Sequence, residues 1–105
     1  MDRQQQIEAF LRAAHRLALT RLRERPERTH EVRAVIQRWR ARRGPTRSDH
    51  YLDEWDRLLA LPLDQLEQAV CADTEHAAAL RSTSPIAPLI TPAEREAMLI
   101  ESRKT

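Results

Sequence analysis

Residues 7–22, IEAFLRAAHRLALTRL, decide the fold. Ile7, Phe10, Leu11, Ala14, Leu17, Ala18 and Leu22 recur in steps of three and four, the spacing that gathers apolar side chains on one side of an α-helix. The run contains neither glycine nor proline, so it predicts an unbroken amphipathic helix from about Asp2 to Arg25, ended by Pro26. Pro26 also suits the first turn of a second helix. That helix has the stripe Val32, Val35, Ile36 and Trp39, and Gly44 and Pro45 mark its end. A link this short predicts an antiparallel helical hairpin over 1–44.

Shorter helices follow. Thr46 or Ser48 can cap a third one carrying Tyr51, Leu52, Trp55, Leu58 and Leu59, which stops near Pro62. Leu63, Leu66 and Val70 mark a fourth, and Asp73 or Thr74 can cap a fifth that runs through Leu80. Residues 82–90, STSPIAPLI, hold two prolines and no helical period, which predicts an extended connector. Thr91-Pro92-Ala93-Glu94 then combines a capping hydroxyl, a proline fit for the first helical position and a glutamate able to reach back to the cap. It opens a last helix with Ala93, Ala97 and Ile100 on one side. One glycine and four aromatics in 105 residues leave a hairpin-rich β design without turn residues. The expected fold is all-α: a single domain over 1–105, a compact bundle of five or six helices, in which a long basic hairpin (1–44) packs with an acidic short-helix region (48–105).

Charge divides the chain at the same place. Residues 1–47 hold thirteen Arg against five acids, a net of +8, while residues 48–105 hold eleven acids against five bases, a net of −6. Either the basic half meets nucleic acid or an acidic partner, or the two halves fold onto each other. Helical geometry places Arg12, Arg16 and Arg23 opposite the apolar stripe of the first helix. On the second helix Arg33 and Arg40 line one flank, and Arg38 and Arg42 the other. These seven form the candidate surface for a partner or for nucleic acid. Seventeen Arg beside one Lys also fit a GC-rich coding sequence, so arginine abundance alone does not mark a nucleic-acid binder. Trp39, between Arg38 and Arg40, can stack on a base, but its place in the apolar stripe favours the core. A helix-turn-helix across Arg43–Thr46 is disfavoured, because Asp49, Asp53, Glu54 and Asp56 would face phosphates in a DNA groove.

Catalytic and metal chemistry find little footing. His30-Glu31 opens like a zincin helix, but Ala34 stands where the second histidine is needed. His50 and Glu54 lie four apart, and Asp49, Asp53 and Asp56 are spaced to share a helical face, yet no third ligand group converges in sequence; an acidic solvated face, or one that pairs with the arginines, is the simpler account. Cys71 follows Val70 in an apolar stretch and reads as a buried, inert thiol, with His76 off its face. Gly44, the only glycine, leaves no loop to cradle a phosphate. The expectation is therefore no enzyme, no catalytic residues, no cofactor and no metal site.

One cysteine rules out an internal disulfide and suggests a reducing compartment. The start MDRQQQIEAF carries no apolar signal region, and no apolar run approaches the roughly 20 residues of a membrane span. A cytoplasmic protein without membrane contact is expected. In the connector, Ile86, Leu89 and Ile90 stand between prolines as a candidate apolar partner contact, although core filling is the stronger account. The function these features favour is that of a small non-catalytic bacterial interaction or regulatory protein, antitoxin- or inhibitor-like, acting on a protein partner, with a homodimer also open. The alternative is a nucleic-acid-binding protein that uses the Arg-rich N-terminal helices.

Overall fold

The structure, a computed structural model, describes residues 2–47 and 49–103. Six helices and no strand are found among them. In chain order these are α1 (Arg3–Glu24), a 3₁₀ turn (Pro26–Arg28), α2 (Thr29–Arg43), α3 (Asp49–Leu59), α4 (Leu63–Cys71), α5 (Glu75–Ser82), a second 3₁₀ turn (Ala87–Leu89) and α6 (Pro92–Arg103). Local chemistry sets most of the ends. Asp2 accepts from the Gln5 N–H at 2.7 Å while the Gln5 side chain accepts from the Asp2 N–H at 3.1 Å, so α1 starts on a reciprocal cap. Gly44 ends α2 at φ 63°, a left-handed backbone that side-chain-bearing residues avoid. Thr74 caps α5 by accepting from the Ala77 N–H at 3.1 Å. Thr46 donates to Asp49 at the start of α3, whereas the other cap candidate, Ser48, lies outside the described residues.

The first helix is the axis of the molecule. At 22 residues it runs about 33 Å, close to the 39 Å long dimension of the whole protein, and α4, α5, α6 and the second 3₁₀ turn all pack on it. Covered from several directions, α1 buries more than the narrow predicted stripe: Leu19 and His15 join Phe10, Ala14, Ala18 and Leu22. Ile7, in that stripe, is 44 % exposed. The core continues through Val32 and Ile36 of α2, Leu52, Trp55, Leu58 and Leu59 of α3, Leu66 and Val70 of α4, and Leu80 of α5. Trp55 is completely buried, and its indole N–H donates to the Leu80 carbonyl at 3.1 Å. Trp39 only half-buries at the core's edge, with the Arg43 guanidinium 5.4 Å from its ring centroid.

Two details depart from the sequence expectation. The connector is not extended throughout: it folds into the 3₁₀ turn at 87–89, with Pro85 and Ile86 fully buried. The final helix carries the predicted cap, since the Thr91 N–H donates to the Glu94 carboxylate at 3.0 Å and the Glu94 N–H donates to the Thr91 hydroxyl at 3.1 Å. Yet its rotation differs. Ala93, Ala97 and Ile100 face solvent, while Glu94, Met98, Leu99 and Ser102 turn toward the bundle. The ion pair from Arg21 of α1 to Glu94, together with the bulk of Met98 and Leu99, outweighs what Ile100 and two alanines would bury.

His15 links this packing to pH. Its Nδ1 sits 2.7 Å from the Leu11 carbonyl, and burial, helped by nearby Arg81, holds its pKa below the ordinary 6.5 despite that hydrogen bond. A histidine kept neutral in the fold but free to protonate when unfolded makes the unfolded chain the better proton binder below 6.5. Stability is therefore expected to be highest at neutral pH and to fall as pH drops below about 6.5. Thermal unfolding of the parent and of His15→Gln from pH 7.5 to 5.0 checks this, with a flatter profile expected for the variant.

Candidate functional site

The charged surface is organised across the division between the two halves. On α1, Arg12 lies 3.7 Å from Asp73, and Arg23 reaches Asp64 at 2.8 Å and Glu67 at 3.5 Å. Arg21 pairs with Glu94 as described. On α2, Arg40 lies 2.8 Å from Asp53 and 3.1 Å from Asp56 of α3, and Arg33 lies 4.0 Å from Asp56. Among the described residues the reverse pairing occurs once, where Arg81 of α5 reaches Glu8 of α1 at 3.3 Å. Helix register explains this order. Asp53 and Asp56 lie three apart on α3 and present two carboxylates to one guanidinium, as Asp64 and Glu67 do on α4. Both guanidinium groups are held above their ordinary pKa chiefly by these hydrogen bonds, Arg23 by Asp64 and Arg40 by Asp53.

Of the seven candidate arginines, Arg12, Arg23, Arg33 and Arg40 are thus bonded to the acidic half. Arg16, Arg38 and Arg42 make no ion pair among the described residues. Arg38, Arg42, Arg43 and exposed Arg47 cluster toward the C-terminal end of α2, where a helix dipole favours cations. The acidic face of α3 is divided among several uses. Asp53 and Asp56 serve Arg40, Asp49 accepts from Thr46, Glu54 lies 2.7 Å from His76, and His50 stacks on Tyr51 at 4.0 Å. Among the described residues no three His, Cys, Asp or Glu side chains gather as metal ligands.

The other candidates fall in place individually. Cys71 is half-buried beside Arg16, and burial pushes its thiol pKa up, the direction opposite to a reactive thiolate. Ile86 and Leu89 are buried in the core and Ile90 packs against it, so the connector's apolar residues hold the bundle together. Sequence reasoning overlooked Arg81. Its side chain is 2 % exposed, and its Nη1 donates to the Val70 carbonyl at 2.6 Å and to the Ala72 carbonyl at 3.0 Å, closing the end of α4. Nothing local signals this, because an arginine between Leu80 and Ser82 reads as a surface residue until α4 is placed beside it. Among the described residues no helix is long and apolar enough to cross a membrane. No family model, curated protein or solved structure matches this chain.

Proposed function

We propose that this protein is a small non-catalytic binding protein, of the antitoxin or inhibitor kind, that works by holding a protein partner. The observation that carries this reading is the pairing of Arg12, Arg21, Arg23, Arg33 and Arg40 with carboxylates of the second half. Carboxylates beside a guanidinium compete with any phosphate for it and cancel the far field that would draw a polyanion. Support also comes from the groove between α1 and α6, lined mainly by Ala9, Phe10, Ala13 and Met98, an apolar surface of the kind protein interfaces use. The second reading, nucleic-acid binding, keeps one specific observation in its favour: the unpaired cluster Arg38, Arg42 and Arg47.

Charge reversal separates the two. Replacing Arg12, Arg23 and Arg40 together by Glu is expected to lower Tm, less so in 1 M salt, because each new carboxylate faces existing ones. Replacing Arg16, Arg38 and Arg42 by Glu is expected to lower Tm much less, because no existing carboxylate pair is broken and the cost is that of acids near the C-terminal end of α2. Random-sequence DNA is expected to bind the parent protein weakly near 0.15 M salt. A salt-sensitive sub-micromolar complex, abolished by the second set of reversals, would overturn the protein-partner reading in favour of nucleic acid. A photocrosslinker at Ala13 in the native cell should give a discrete adduct that survives nuclease; adducts lost to nuclease would count against it.

A further inference from the structure

We propose that the recess at the C-terminal end of α2 docks a short acidic segment of the protein partner, seating one phenylalanine or leucine of that segment against Trp39 while exposed arginines hold its carboxylates. The inference rests on the protein-partner reading and adds a contact to it, since this recess shares no lining residue with the α1–α6 groove. It measures about 290 Å³, at the lower edge of ligand pockets and suited to a single large side chain. Trp39 and Leu52 give it apolar surface, exposed Arg43 gives it charge, and Ser82, Thr83 and Ser84 complete the wall.

Charge selects the occupant. Arg12, Arg21, Arg23, Arg33 and Arg40 are bonded to carboxylates, whereas Arg38, Arg42, Arg43 and Arg47, all exposed, make no ion pair among the described residues. Arg38 and Arg42 lie one turn apart on α2, as do Trp39 and Arg43, so three of these guanidinium groups share a surface with the indole. The helix dipole offsets about half a unit of charge at this end, which leaves most of the positive charge uncompensated. Arginine forks grip carboxylates two oxygens at a time, and clusters of them read acidic segments.

The same surroundings favour a peptide over a nucleic acid. The Arg43 guanidinium already lies 5.4 Å from the Trp39 ring centroid and the core packs on the same side chain, so a base has little ring face left to stack on. Ser82 and Thr83 spend their hydroxyl protons on the Ala79 and Leu80 carbonyls, which leaves Ser84 as the one hydroxyl donor for a base edge; a hydrocarbon side chain needs none. Asp53 and Asp56, drawn to Arg40, follow on the α3 side, so a polyanion continuing past the arginines meets carboxylates. A short segment stops before them.

The test titrates the acetylated, amidated peptide DEDFDED into isotope-labelled protein and follows the indole N–H signals of Trp39 and Trp55 by NMR. A saturable shift at Trp39 with Trp55 unmoved is expected. Exchanging the peptide's phenylalanine for alanine is expected to weaken binding about tenfold or more, the worth of one buried aromatic side chain. Arg38→Gln, Arg42→Gln and Arg43→Gln combined should weaken it about tenfold, as three exposed ion pairs acting together. All three side chains are exposed, so this variant should keep its helical circular dichroism. Arg16→Gln should bind as the parent does. Non-saturating shifts, equal affinity for the alanine peptide, or unchanged affinity in the triple variant would each overturn the proposal, as would a dimer that the triple variant dissociates, because a second copy would then hold the recess. A failed peptide beside a nuclease-resistant adduct at Ala13 overturns this site alone; an oligothymidine that shifts Trp39 and binds below micromolar at physiological salt overturns the site and the protein-partner reading together.

Discussion

Trp55→Ala is expected to cost about 3–5 kcal/mol, the largest single loss available in this core. The indole is completely buried in the core on α3, which packs against α2, α4 and α5, so its removal leaves a void that side chains anchored on separate helices cannot collapse to fill. The loss has a polar part too, since the Leu80 carbonyl is left without the indole N–H it accepts at 3.1 Å. Urea unfolding monitored by circular dichroism reads the effect directly. Trp55→Phe should recover much of the packing but not the hydrogen bond and should fall between parent and alanine variant. Trp39→Ala, at a half-buried site, should cost clearly less; equal losses at the two tryptophans would mean that Trp39 is buried as deeply as Trp55.

Arg81→Met is expected to be nearly as damaging, about 3–5 kcal/mol, although methionine matches much of the arginine's bulk. The guanidinium satisfies the Val70 and Ala72 carbonyls at the end of α4 and pairs with Glu8 of α1. Substitution leaves the buried Val70 carbonyl and the part-buried Ala72 carbonyl without a donor, and leaves the Glu8 carboxylate, 29 % exposed, without its cation. Hydrogen exchange should show the last turn of α4 opening before the rest of the molecule. Arg81→Lys should rescue only part of the loss, because a point charge cannot reproduce a fork that meets three acceptors. Retention of parental stability in Arg81→Met would show that the buried guanidinium is dispensable.

Both sites illustrate what the sequence could and could not reveal. The helix positions were legible because their signals are local: the stripe at 7–22, Pro26, Gly44, Pro62 and the Thr91–Glu94 cap each act within one or two turns. Trp55 was legible as core because it repeats with Leu52, Leu58 and Leu59. Leu19 and His15 were not, since they lie beside the predicted stripe and are covered only because α1 has neighbours in several directions. Arg81 and the outward rotation of Ala93, Ala97 and Ile100 depend on pairings 73 residues apart, Arg81 with Glu8 and Glu94 with Arg21. The net charges of +8 and −6 left open whether the halves attract each other or the basic half meets an outside partner. Which arginine would take which carboxylate rests on the relative placement of α1–α4, which no local pattern encodes.

The central place of α1 also runs against the direction of synthesis. The helix that α4, α5 and α6 pack upon leaves the ribosome before any of them, and part of its cover arrives only with the 12-residue α6. Until then the nascent chain carries an apolar helix with its flank unshielded, the condition that recruits chaperones and invites aggregation. Folding should accordingly wait until α6 has emerged, and versions cut before Thr91 should accumulate as insoluble or chaperone-held chains instead of smaller stable domains.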